Sequence, residues 1–198
     1  MVRINGELVV LVDANVWVSR NLRDWVCALY VHSSAMFTVV WTEDILAETL
    51  HAVRQLYPDL EGGKIAHVRE SIVGVFPDGQ IRDFAVEADR PIQDPYDKHV
   101  HAAAVAGGAD ILVTNNIKDL RPARQEDQDA LSYEVHTADE FFMLVADSQP
   151  GVVRDAIRDQ ISYFLRRGTE PNLPTGLKRA GAPDFAERVR TMQLDMEF

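Results

Sequence analysis

"DPYDKHVHAAAVAGGADILVTNN", Asp94 to Asn116, is the stretch on which the fold turns. Asp94 is a good N-cap residue, Pro95 suits the first helical position, and Gly107 with Gly108 closes the helix. "ADILVT" (109–114) then reads as a buried strand. Upstream, the run Leu8–Val12 is apolar, continuous and largely β-branched, as expected of a central strand covered on both faces, and it stops at Asp13. Residues 15–31 read as one helix and "MFTVV" (36–40) as a second strand. "TEDILAETLHAVRQLYP" (42–58) frames a helix from a Thr42 cap to Pro58. Another helix is expected over 61–74, and a short strand over 81–86. Downstream come a strand at 132–137, a helix at 138–147 and a helix from 150 to about 167. A Gly/Pro-rich stretch (168–183) and a final helix-like piece (184–198) follow. Strands alternating with helices predict an α/β fold with a parallel sheet covered on both faces. Catalytic residues then belong at the carboxyl ends of the strands. The expected division is a domain over 1–149 and a helical C-terminal extension over 150–198.

The chain has 198 residues, enough for one such domain with a modest extension. Its 46% hydrophobic and 26% charged residues are ordinary for a globular protein. No stretch approaches the roughly 20 apolar residues that cross a bilayer, and the N-terminus fits a secretory signal poorly, so a cytoplasmic protein is expected. Cys27 is the only cysteine, which excludes an intrachain disulfide and a zinc site built on cysteines. With 31 acidic against 20 basic residues the formal charge is −11. A phosphate-bearing substrate must therefore meet a local basic patch, a bound cation, or both. Arg20, Arg23 and Lys98 are the basic residues considered for such contacts.

Four acids are candidates to meet at one sheet edge. Asp13 ends the first strand. Glu48 flanks a helix face assigned to Ile45, Thr49, Ala52, Val53 and Leu56. Asp97 lies in the first turn of its helix, aligned with His101 and Ala104, and Asp119 follows the strand "ILVT" by a short loop. Each also has a plainer reading: Asp97 as the partner of Asp94 in a capping box, Glu48 as a solvated helix residue, Asp119 as a loop acid. Asp13 sits least easily with such a reading, because an acid at the end of a buried strand is costly unless hydrogen-bonded. Gathered carboxylates repel one another, and Mg²⁺ or Mn²⁺ relieves that conflict because hard cations favour oxygen ligands. Such ions acidify water and stabilise a departing oxygen, the requirements for phosphodiester hydrolysis. His99 and His101 read as packed or solvent-facing imidazoles, and Trp17, Trp25 and Trp41 read individually as core. No Walker loop or G-x-G-x-x-G fingerprint is present.

"LVDANVWV", "ILAE" ending in Glu48 and "DPYDKHVHAAAVAGGADILVTNNIKDL" together resemble PIN-domain ribonucleases, in particular the VapC-like toxins of type II toxin–antitoxin pairs. The resemblance spans roughly residues 8–146, and "RAGAPDFAERVR" resembles the C-terminal extension of some members. It implies a three-layer α/β/α sandwich and a Mg²⁺- or Mn²⁺-dependent endoribonuclease. The partners it implies are RNA, a cognate antitoxin protein and a second copy of the chain in a homodimer. By motif position it implies that Asp13, Glu48 and Asp97 organise the metal. Asn15 either holds the Asp13 carboxylate or a metal-bound water or caps a helix, Thr114 is placed to orient a neighbouring carboxylate, and Asn115 is the third supporting residue. Many members carry an acid two residues after the threonine of "TNN". Here that position is Asn116, so either Asn116 serves as a neutral ligand or Asp119 takes the place. Two alternatives stay open: a catalytically impaired RNA-binding or interaction module, and an aspartyl phosphatase or phosphotransferase built on Asp13.

Overall fold

The structure is a computed structural model that describes residues 6–86 and 97–196. In chain order the first elements are β1 (Leu8–Val12), α1 (Ala14–Val18), α2 (Arg20–His32), β2 (Phe37–Val40), α3 (Glu43–Leu56) and α4 (Gly62–Val75). They are followed by α5 (Lys98–Ala106), β3 (Ile111–Val113), α6 (Ile117–Leu120), α7 (Gln125–Asp129) and β4 (Glu134–His136). The last are α8 (Ala138–Ser148), α9 (Pro150–Arg166), α10 (Leu173–Arg179) and α11 (Pro183–Leu194). The chain divides into two compact units, one of residues up to Val18 with Met36–His136, the other of Ser19–Ala35 with Thr137–Phe198.

The first unit holds a four-stranded, all-parallel sheet in the order β2-β1-β3-β4, flanked by helices, which is the α/β class the sequence pattern predicts. β1 lies inside the sheet, and Val10, Leu11 and Val12 are fully buried, as its uninterrupted apolar run requires. On α3, Thr42 Oγ1 accepts the Ile45 N–H at 3.1 Å and starts the helix. Its buried face is Ile45, Leu46, Thr49 and Val53. Leu56, expected on that face, is 61% exposed, because it falls in the last turn. Gly107 caps α5, and Gly108, with φ 62°, turns the chain toward β3. The expected Asp94 cap and Pro95 lie outside the described residues.

Residues 15–31 do not form one helix: Ser19 breaks it, with Ser19 Oγ accepting the Leu22 N–H at 3.4 Å to start α2. Residues 81–86 are not a strand. The chain instead touches the sheet edge at a single bridge, Trp41 to Gln80. Gly79 sets that contact, because a Cβ there would lie 2.2 Å from the Val39 carbonyl oxygen. Trp41 Nε1 donates to the Phe76 carbonyl at 2.8 Å and is buried with Trp17, both as core.

The second unit is helical. Its core is Leu22, Trp25, Val26 and Leu29 of α2, Phe141, Phe142 and Val145 of α8, Val153, Ala156 and Ile157 of α9, and Phe185 and Val189 of α11. Phe185 is the hub, 5.0 Å from Trp25 in an edge-to-face contact and 5.1 Å from Phe142. α8 opens on a capping box between Thr137 and Glu140. α10 forms inside the Gly/Pro-rich stretch, capped by Asn172 with Pro174 in its first turn. No helix among the described residues is long and apolar enough to cross a membrane.

Candidate functional site

The sheet register brings the first two candidates together. Val12 and Val113 are paired across β1 and β3, so the next residue on each strand, Asp13 and Thr114, emerges at the carboxyl edge beside the other. β1 has β2 on one side and β3 on the other, so this edge is the switch point at which parallel α/β sheets open a crevice. The Asp13 N–H extends the ladder to the Val113 carbonyl at 3.0 Å, and the Thr114 N–H does the same to the His136 carbonyl at 2.9 Å.

Asp13 is 5% exposed. Its Oδ1 accepts the Ala14 N–H at 2.6 Å, and its Oδ2 accepts Thr114 Oγ1 at 2.7 Å and Asn15 Nδ2. Burial pushes its pKa above the ordinary carboxyl value of 3.8. The Thr114 and Ala14 hydrogen bonds oppose that, the charge of Glu48 adds to it, and His99 opposes it. Asn15 is the brace of this edge. Its Nδ2 also reaches Thr114 Oγ1 at 2.9 Å, and its Oδ1 accepts the Asn115 N–H at 2.9 Å. The three supporting residues of the sequence reading, Asn15, Thr114 and Asn115, therefore share one hydrogen-bond network with Asp13.

The network extends to Asp97. Thr114 Oγ1 accepts the Asn116 N–H at 3.0 Å, and Asn116 Nδ2 donates to Asp97 Oδ2 at 3.3 Å. Asp97 stands at the N-cap position of α5 without a side-chain capping bond. Glu48 projects from α3, 54% exposed, with Oε2 at 3.5 Å from His99 Nε2. The sequence reading left His99 as a packed or solvent-facing ring. Its place beside Glu48 depends on how α5 meets α3, and no local spacing carries that signal. His101 is packed, its Nδ1 2.6 Å from the Tyr133 hydroxyl. Asp119 is exposed in the first turn of α6 and, among the described residues, shares no hydrogen bond or ion pair with the other acids.

A hard cation is the group this donor set suits in kind, since carboxylate and amide oxygens from Asp13, Glu48, Asp97 and Asn116 include no soft ligand. Burial, reinforced by the charge of Glu48, disfavours the ionised Asp13 carboxylate, and a cation held beside it would favour that form. Among the described residues no three His, Cys, Asp or Glu side chains are grouped tightly enough to enclose an ion.

No curated protein and no solved structure is significantly similar to the chain. A family model described as PIN domain matches residues 9–118, more than half of the 198 residues, from β1 into the first turn of α6. That span holds Asp13, Glu48, Asp97 and Asn116 together with the strands that position them, and the chain belongs to the PIN domain family.

Proposed function

We propose that this chain is a divalent-metal-dependent endoribonuclease, the VapC-like toxin of a toxin–antitoxin pair. PIN domains are in general nucleases, which supports phosphodiester hydrolysis as the reaction class. The observation that carries the reading is Asp13: a carboxylate buried at the switch point, fixed by donors on both oxygens, with a second acid pressing on it electrostatically. Asp13, Glu48 and Asp97 are the carboxylates that would hold Mg²⁺ or Mn²⁺, with the Asn116 amide in the position where many members have an acid. When bound, such an ion supplies an acidified water and positive charge facing the phosphate oxygens. The chain's own contribution is orientation. Ala14 N–H, Thr114 and Asn15 hold the Asp13 carboxylate in one pose, and Asn116 tethers Asp97 to the same edge. The exposed Asp119 stands as an alternative to Asn116.

The partners in this reading are RNA, an antitoxin that covers the acidic site with a basic side chain, and a second copy of the chain, all in the cytoplasm. A catalytically impaired RNA-binding module is the second reading, favoured by Asn116 in place of an acid and by the loose grouping of the acids among the described residues. The aspartyl phosphatase is disfavoured, because three donors already occupy the oxygens that Asp13 would need for attack.

Purified protein incubated with RNA in Mn²⁺ or Mg²⁺ is expected to cut it, to stop with EDTA, and to lose activity in Asp13→Ala and Asp97→Ala. Replacing an outer-shell partner at a metal site costs about 10–100-fold, so loss of Asp13 is expected to exceed about 100-fold. Intact RNA in every metal condition, from folded protein freed of any copurifying antitoxin, selects the binding module instead.

A further inference from the structure

The acid excess is unevenly spread. The second unit holds ten of the twenty Lys and Arg but only eleven of the thirty-one Asp and Glu. Several of its arginines are matched to a carboxylate: Arg158 to Asp155 at 2.7 Å, Arg188 to Asp147 at 2.8 Å and Arg190 to Glu187 at 2.5 Å. One pair is arranged differently. Arg20, on α2, and Arg167, just past α9, both donate to the Tyr163 hydroxyl, Arg20 Nη2 from 3.4 Å. The Arg167 guanidinium also lies 5.2 Å from the Tyr163 ring centroid. Arg20 is 68% exposed and Arg167 is exposed.

A helix-end arginine over a tyrosine four residues earlier is an ordinary local pairing and accounts for Arg167 alone. It does not account for a second guanidinium, from a helix far away in sequence, aimed at the same neutral oxygen. A phenol can accept both hydrogen bonds but neutralises neither charge. Asp24 is 3.5 Å from Arg20 and itself 45% exposed, so it offsets little. Among the described residues Arg167 has no carboxylate partner. Exposed Arg166 stands beside it in sequence and adds to the positive field.

We infer that Arg20, Arg167 and Tyr163 form a phosphate anchor for single-stranded RNA in the second unit. Guanidinium groups match phosphate oxygens in a bidentate way and remain charged at any working pH. Aromatic rings beside arginines recur where proteins bind single strands, stacking with bases and with guanidinium groups, which favours RNA over an acidic protein surface. The anchor gives a chain of net charge −11 a local place for a polyanion: two exposed guanidinium groups meet on one phenol, with, among the described residues, only the exposed Asp24 paired to Arg20. The inference rests on RNA being the substrate, as proposed above.

The test is fluorescence anisotropy of the full chain with a labelled single-stranded RNA in EDTA, across a salt series, so that cleavage plays no part. Replacing two phosphate-contacting arginines, in Arg20→Gln/Arg167→Gln, is expected to lower the slope of log K against log salt by about 1.4. Arg158→Gln, which removes a matched charge from the same unit, is expected to leave the slope unchanged. An unchanged slope in the double variant overturns the anchor, and so does an equal fall in Arg158→Gln. Loss of poly-glutamate binding with RNA binding intact replaces RNA with an acidic protein partner. Wild-type protein that binds RNA through these arginines but never cuts it refutes the nuclease and leaves the anchor standing, whereas cutting with an unchanged slope does the reverse.

Discussion

Asp13 in the first unit and Asp139 in the second are both buried carboxylates, 5% and 9% exposed, and they are satisfied in different ways. Asp139 accepts the Asp184 N–H at 3.1 Å and the Phe185 N–H at 2.8 Å, so its two oxygens fill the open amides at the start of α11. α11 has no side-chain cap of its own, and a carboxylate facing a helix N-terminus is favoured by the helix dipole as well. Asp139 thus closes a structural account. Asp13 has donors too, but burial and Glu48 together hold its pKa up, so the ionised form is under strain at neutral pH. Both acids are hydrogen-bonded through both oxygens; what separates them is that burial and the charge of Glu48 act together against the ionised form of Asp13.

The largest expected effect that separates the two is a crossed pattern of losses. Asp13→Ala is expected to abolish cleavage while changing the melting temperature little in EDTA. Asp139→Ala removes a charged acceptor from one buried and one part-buried amide, and is expected to cost about 2–3 kcal/mol, roughly 5–10 °C for a chain of this size. Its activity per folded molecule is expected to persist below the transition. Thermal melts beside RNA cleavage assays read both axes. Equal destabilisation by the two variants would erase the distinction.

A smaller effect sharpens the comparison through pH. The folded pKa of Asp13 lies above 3.8, so the stabilisation it contributes is fully present below pH 3.8 and is lost as pH rises through the folded pKa. In EDTA, the melting temperature of the wild type relative to Asp13→Ala is therefore expected to fall as pH rises above the ordinary carboxyl value of 3.8. At pH 7, added Mn²⁺ is expected to stabilise the wild type, by about 2.7 kcal/mol of unfolding free energy at a concentration one hundred times Kd, and to do much less for the variant. A wild-type advantage that grows with pH in EDTA would mean that the charged form of Asp13 is the favoured one in the folded chain.

The difference between the two aspartates also marks how far local sequence reaches. Leu8–Val12, the Thr42 cap and the Gly107–Gly108 stop are written in neighbouring residues, and their elements form as expected. The meeting of Asp13 and Thr114 follows from one further step, the parallel register of Val12 with Val113. Ser19 interrupts an apolar pattern that runs on through it, which hides the break, although a serine followed by helix-forming residues is itself a cap signal. α10 was obscured by Pro174 and Gly176, yet Asn172 and an early proline are start signals as well. Contacts made by distant helices left no local trace: His99 beside Glu48, Arg20 at Tyr163, and Asp139 under α11 each join segments whose spacing follows only from the completed fold.

Cys27 supplies the smallest effect, and it sets a half-buried thiol against the buried Asp13. The thiol lies on α2, and burial, reinforced by the charge of Asp24, pushes its pKa up to about 12. The thiolate is the species that reacts with disulfide reagents, so at pH 8 the folded protein is expected to show almost no labelling by such a reagent. Labelling is expected to become stoichiometric in denaturant and to follow the unfolding transition of the second unit. Rapid labelling of the native chain would show that the helix carrying Cys27 opens readily. In that case Asp139→Ala, which loosens α11 in the same unit, should accelerate the reaction further while Asp13→Ala leaves it alone.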